Sequence, residues 1–279
     1  MRKATIAVLI ILIAACLLVP TAFSVSDNNK IVVTYGETTY HNQDYKNTVD
    51  NYFKNQIHSD LNDFVVKIIT AAEVNKISSS YSHRTYNSND IFSSALLDLR
   101  GSDDLDVQVD SSKINVITKE MYVSALKSAG ITKGHVYVTS PISATGESAL
   151  AGIMNCYEQA TNTTIPQEVK EAANNEISTE AEIVNNSNVS SDKLSKIVDD
   201  VKEEVMDKNI TDKNQIVNII NNITVNYNIH LSSEDVDKLA SAILQTQQVQ
   251  GSANQYKDKL SDAVGGNSII DEIFKLFGF

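Results

Sequence analysis

The sequence predicts an α+β fold, a small mixed sheet with packed helices followed by an all-helical C-terminal region. Three observations carry that prediction. Residues 25–162 contain six glycines and one proline, with β-branched runs between them. Residues 167–250 contain neither glycine nor proline across 84 positions. Within that unpunctuated stretch apolar residues recur at three-four spacing, the period of helices that bury one face. The chain therefore divides into residues 1–24, an α+β domain over 25–162, and a helical domain over 163–279 that ends in an apolar segment.

The first domain opens with Ile31-Val32-Val33-Thr34-Tyr35, a strand ended by Gly36. A helix follows from about Asp44 to Lys54, with Tyr45, Val49, Tyr52 and Phe53 inward. Phe64–Ile69 is a second strand by its continuous apolar content. Ile91–Leu99 fits a strand or a short helix. Leu105–Asp110 alternates apolar and polar residues, which gives a half-exposed strand, and Ile114–Ile117 is extended. Thr118 is a helix N-cap, Glu120 suits the first turn, and Met121, Tyr122, Ala125, Leu126 and Ala129 supply one face. Gly130 ends that helix in the left-handed conformation glycine tolerates best. His135–Thr139 is a strand and Thr145 a second cap, with Gly146–Tyr157 helical. Cys156 on that helix reads as a small buried apolar residue. The arrangement is helix, strand, helix, as for helices packed on a sheet.

In the second domain, Leu194, Ile197, Val198, Val201 and Val205 form one stripe and Ile216, Ile219, Ile220 and Ile223 another. Ser232 and Asp235 approximate a capping box before Val236, Leu239, Ala240 and Ile243. The acidic excess of this region is assigned to the solvated faces opposite the stripes. Near the end, Ile269, Ile270, Ile273, Phe274, Leu276, Phe277 and Phe279 crowd together after Gly265-Gly266. This segment is expected to bury against the helical bundle, the alternatives being docking on a partner or on a membrane, with Asp271 and Glu272 disfavouring an anionic bilayer; Ile269, Ile273, Phe274 and Phe277 are the candidates for self-association.

The N-terminus assigns a compartment. Arg2-Lys3 precede an uncharged apolar run, Ala4–Val19, that ends at Pro20 and Ala22-Phe23-Ser24, the order of a secretory signal peptide. The run is shorter than the ~20 residues a spanning helix needs. An uncleaved anchor and an acylated Cys16 in Ile13-Ala14-Ala15-Cys16 are the alternatives. The chain carries 23 Lys and Arg against 35 Asp and Glu, a net charge of −12; losing residues 1–24 leaves 21 cations and a charge of −14. Such a chain is a poor partner for nucleic acid, which needs clustered cations. A mature chain with Cys156 alone has no internal disulfide, so packing must hold it together.

The stretch Ser93–Tyr157 supports a family resemblance. Its residues are Ser93-Ser94-Ala95-Leu96-Leu97-Asp98-Leu99, then Ile114, Thr118, Met121-Tyr122, Ala125-Leu126 and Ala129-Gly130-Ile131. Val136, Val138, Pro141, Ser143, Gly146, Ala149-Leu150, Gly152 and Tyr157 complete the series. It resembles the YpuA-like family of prokaryotic exported proteins, which carry domain of unknown function 1002. Val32-Val33-Thr34-Tyr35-Gly36 is similar to that family's first strand. The likeness covers residues 31–162 well and the helical tail in general character only. The Ser-Gly pair that usually follows the proline is here spread over Ser143-Ala144-Thr145-Gly146. The resemblance implies an extracytoplasmic location and an α+β architecture, and it brings no catalytic residue.

The residues themselves offer little reaction chemistry. Gly146-Glu147-Ser148-Ala149 follows a strand and opens a helix, as a hydrolase nucleophile elbow does. That turn needs a second glycine where Leu150 stands. The free N–H groups of the same helix terminus can hold an anion. His135, Ser140, Thr145, Gly146, Glu147 and Ser148 are therefore the candidate ligand-binding residues. The five histidines lie at no ligand spacing, and no paired cysteines or phosphate loop occur, so no metal and no cofactor is assigned. Asp104, Asp106, Gln108 and Asp110 alternate like calcium ligands, but Val109 occupies the place of the turn glycine. Asn162, Asn185, Asn188, Asn209 and Asn222 each begin a glycosylation sequon. The expected function is a non-catalytic binding or assembly module of the cell envelope, with an envelope protein or polymer as partner. The alternative is an envelope hydrolase acting near residues 135–148.

Overall fold

The computed structural model describes residues 30–81, 85–101 and 104–264. Five strands, β1 (Ile31–Gly36), β2 (Val65–Ile69), β3 (Ser94–Asp98), β4 (Leu105–Val109) and β5 (Gly134–Thr139), form one sheet in the order β2-β1-β3-β5-β4. The sheet is mixed: β1 runs parallel to β2 and β4 parallel to β5, while β3 lies antiparallel to β1 and β5. Helices α1 (Glu37–His41), α2 (Gln43–Ile57), α3 (Ala71–Ser78), α4 (Lys119–Ser128) and α5 (Glu147–Thr161) are interleaved with the strands. Four more follow: α6 (Gln167–Asn186), α7 (Ser191–Asp207), α8 (Lys213–Asn226) and α9 (Ser233–Val264). The fold is thus α+β, with its helices gathered C-terminally as the punctuation of the sequence predicts.

Residue pattern explains the place of each strand. Every residue of β3 is buried, because β3 sits mid-sheet with both faces covered. Burial on two faces removes the period-two alternation that identifies a strand, which is why Ile91–Leu99 reads ambiguously. Alternate residues serve two cores. Leu96 joins Val33, Val49 and Phe53 beneath α2, while Leu97 joins Val32, Val136 and the larger core under α4 and α5. β2 and β4 form the edges. The apolar run over Phe64–Ile69 becomes a strand only from Val65, and Val66 is exposed there. Ile114–Ile117, expected to be extended, makes only one bridge, Ile114 to Ala144.

The larger core continues past Pro166 into the helices and includes residues from Val32 to Leu260. The α7 stripe Leu194, Ile197, Val198, Val201 and Val205 is buried, each side chain contributing about 1.5–3 kcal/mol of transfer free energy. Cys156 is fully buried, its thiol 3.5 Å from the Val32 carbonyl and from Thr34 Oγ1. Burial pushes that thiol up to about 12, so it packs and does not react.

Helix ends follow one device used three times. At α4, Gly130 N–H donates to Lys127 O and Ile131 N–H to Leu126 O. At α7 the donors are Asn209 and Ile210, onto Met206 and Val205; at α8 they are Asn228 and Ile229, onto Val225 and Thr224. Each pair closes a Schellman motif, with the first residue left-handed and the isoleucine folding back over the last turn. The φ values are 79° at Gly130, 50° at Asn209 and 53° at Asn228. Asn162, at the end of α5, is also left-handed. Two of the sequon asparagines, Asn162 and Asn209, therefore have a backbone role at helix termini. Asn209→Ala is expected to lower stability by about 1 kcal/mol, because alanine tolerates this conformation poorly, and Asn209→Gly to leave it unchanged or slightly higher. Urea midpoints of the two variants check this.

One predicted cap is corrected. Thr145 does not cap α5; Gly146 does, with φ of 103° and no side-chain cap bond. A Cβ on Gly146 would lie 2.7 Å from Ile114 Cγ2 and 2.8 Å from Tyr122 Oη. The loop therefore enters α5 through a space only glycine fits, and the helix runs on to Thr161.

Candidate functional site

The residues singled out in the sequence do not all come together, since His135 stands apart from the rest. Thr145, Gly146, Glu147 and Ser148 are contiguous at the start of α5, with Thr145 exposed and Glu147 buried. Tyr122 Oη donates to Gly146 O, and Tyr86 Oη donates to Glu147 Oε2 at 3.0 Å. Ser140 follows β5, and its buried Oγ has no hydrogen-bond partner among the described residues. His135 stands at the opposite end of β5, paired across the sheet with Asp98 and Asp106, its Nδ1 3.9 Å from Asp106 Oδ2. Five extended residues separate it from Ser140 by roughly 17 Å. Glu147 also lines a polar cleft of about 650 Å³ with Tyr81, Asn175 and Lys238. The charged walls of that cleft are already paired, Lys238 with Glu182 and Glu234, and Asp237 with Lys213.

A different constellation emerges from the helices. The inner face of α6 is apolar at Val169, Ala173, Ile177, Ala181 and Ile183, yet the same face carries Glu176 and Glu180, both 0% exposed. Lys202 of α7 reaches Glu176 Oε1 at 2.6 Å. It also donates to Ser124 Oγ at 2.8 Å and to Ser124 O at 3.3 Å. Glu176 Oε2 accepts from Thr246 Oγ1 at 3.1 Å and has Ser128 Oγ at 3.2 Å. The Ser124 hydroxyl donates to Asp199 Oδ1 at 2.6 Å. Three helices, α4, α7 and α9, thus each contribute polar groups to one buried carboxylate on a fourth, α6. Taking both charges out of water costs several kcal/mol per ion, offset only because every oxygen of Glu176 has a donor.

Glu180 has no such compensation. Neither carboxylate oxygen has a hydrogen-bond partner among the described residues. Burial, reinforced by the neighbouring Glu176, raises its carboxyl well above the ordinary range, which favours the protonated form. This has a definite pH signature. Below about pH 4 both folded and unfolded chains are protonated at this residue, and no penalty exists. As pH rises the unfolded chain ionises while the folded one does not, and folding loses stability up to the raised folded value. Glu180→Gln is therefore expected to stabilise the protein by about 1–3 kcal/mol at pH 7 and to make little difference near pH 4. Urea unfolding at the two pH values measures it.

Above the Lys202–Glu176 pair lies a cleft of about 420 Å³ framed by α4, α7 and α9. Val205, Met206 and Ile243 give it an apolar wall, and Gln247, Gln250 and Asn254 supply amides along α9. Lys127 and Lys257 stand at its mouth, both exposed. The volume falls within the range of small-molecule sites. Among the described residues, no group of three or more His, Cys, Asp or Glu can hold a metal ion, and no helix is long and apolar enough to cross a membrane.

Residues 35–263 match the family model described as protein of unknown function (DUF1002). The chain belongs to this family. It is 27% identical over 182 residues to the uncharacterised protein YpuA of Bacillus subtilis (strain 168), covering 61% of this chain and 62% of that relative. The match therefore spans less than two thirds of the relative's length. No solved structure matches. The family match runs through α9 almost to its end, so the helices that build the cleft belong to it as fully as the sheet does. The resemblance read from residues 31–162 thus extends over the helical region. Asn209 and Asn228, which close α7 and α8, lie inside it too. The cluster itself could have been suspected from Glu176 and Glu180, four apart on the same helical face as Val169, Ala173 and Ile177.

Proposed function

We propose that this protein is an exported, non-catalytic binding module of the cell envelope whose ligand occupies the cleft above the Lys202–Glu176 pair. The carrying observation is the pair itself. Apolar side chains of similar volume would fill that interior at equal or lower cost. Charges retained at the floor of a concave, largely apolar site are accordingly a mark of binding. The basic head, apolar run and small-residue exit of residues 2–24 support export, and the apolar residues at 269–277 support assembly on a partner or a second copy. The neutral dye Nile red tests the cleft. One saturable site on the native protein is expected, lost in Met206→Arg, whose side chain enters the cleft from an exposed position. Unsaturable binding, or binding unchanged by that substitution, would count against the cleft. A mass of the protein recovered from its producing cells tests export, separating cleavage near Ser24 from acylation at Cys16 and from an intact leader. The intact chain recovered soluble from the cytoplasm would overturn the envelope role. Deleting residues 267–279 tests assembly, which fails if neither surface association nor self-association is lost.

A further inference from the structure

We infer that the cleft takes one small amphipathic anion, an apolar body carrying a single acidic head, with the head held between Lys127 and Lys257. This rests on the cleft reading above. The apolar wall of Val205, Met206 and Ile243 sets the body of the ligand. Charge at the site sets the head. The acids nearest the floor are engaged, Glu176 by Lys202 and two hydroxyls and Asp199 by Ser124. The Lys202 ammonium is spent on Glu176 and Ser124. Lys127 and Lys257 make no ion pair among the described residues. They come from different helices to one opening, beside Gly130, whose Cβ position lies 3.3 Å from Lys257 Cβ. Against them the mouth carries one further acid, Glu203, which is exposed. The carbonyl ends of α4 and α7, which would favour a cation, are closed by their Schellman bonds. An acidic head therefore finds two uncommitted ammonium groups at the mouth against the single carboxylate of Glu203, a local balance that favours an anion.

Dodecanoate, with dodecyltrimethylammonium as its cationic counterpart and Nile red as the neutral reporter, tests this on the native protein. Dodecanoate is expected to displace Nile red one for one. Its affinity is expected to fall about tenfold in a Lys127→Glu, Lys257→Glu double variant, where two attractive rim charges become repulsive. Nile red, which carries no charge, is measured on the same variant as the reference, and the tenfold loss is read as the fall in dodecanoate affinity relative to that of Nile red. Equal dodecanoate affinity in the two proteins, or tighter binding of the cationic counterpart to the unsubstituted one, would overturn the anionic assignment while leaving the cleft intact. Loss of Nile red binding from the unsubstituted protein would remove the cleft and the assignment together. Sedimentation with phosphatidylglycerol vesicles in the absence of dodecanoate binding would also overturn it, by making the two lysines a membrane-facing patch.

Discussion

Lys202→Met is expected to lower the stability of this protein by about 3–5 kcal/mol, the range for removing one partner of a buried ion pair. The loss comes less from the vanished attraction than from what is left behind. Glu176 would remain fully buried with only hydroxyl groups beside its oxygens, Ser124 Oγ at 3.3 Å from Oε1 and Ser128 and Thr246 at Oε2, and the Ser124 hydroxyl would lose its Lys202 donor as well. The double variant Glu176→Leu, Lys202→Met is expected to recover most of that loss, because it removes both charges and restores an apolar contact between α6 and α7. Urea midpoints of the two variants against the unsubstituted protein settle the matter. A single variant as stable as the starting protein would mean that water reaches Glu176 and that the floor of the cleft is not dry. Recovery in the double variant would confirm that the pair is dispensable for folding, which is the premise of its assignment to binding.

The sequence disclosed the elements that local chemistry decides. Ile31–Tyr35 is a β-branched run closed by glycine, and it is β1. Leu105–Val109 alternates because it lies at an edge with one face wet. Thr118 caps α4 and Gly130 ends it, as their residue types dictate. What local chemistry does not decide stayed hidden. β3 reads equally as helix because a strand buried on both faces has no alternation, and its neighbours are fixed only by pairing with β1 and β5. Thr145 has the better capping side chain, yet Gly146 caps α5 because Ile114 and Tyr122 leave no room for a Cβ. Glu176 and Glu180 counted among the acidic residues of solvated faces, since net charge averages over exactly the distinction that matters, which side of the helix each one occupies. The partners of Glu176 lie far along the chain, Ser124 at 52 residues and Thr246 at 70. No motif of fixed spacing can report such a site; only the packing of four helices creates it.

Gly130→Ala is expected to cost about 3–5 kcal/mol, and the reason separates two roles glycine plays in this fold. Part of the cost is conformational, since φ of 79° is unfavourable for any residue with a Cβ. That part alone is modest, for Asn209 and Asn228 hold the same position in the same motif at α7 and α8. The larger part is steric. A Cβ on Gly130 would stand 2.2 Å from the carbonyl oxygen of Ala253 and 3.0 Å from its carbon, and a backbone atom inside α9 cannot turn aside as a side chain would. Gly130→Asn discriminates the two. If conformation dominated, asparagine would be nearly neutral there, as it is in the sister motifs; the contact with Ala253 predicts a loss close to that of alanine. The same contact holds α9 against the end of α4, beside Lys257 in the cleft lining and one turn beyond Gln250. Forcing the helices apart at residue 130 should therefore weaken Nile red binding along with stability, while Asn209→Ala, equally strained but without a neighbour to strike, should lower stability and leave binding unchanged.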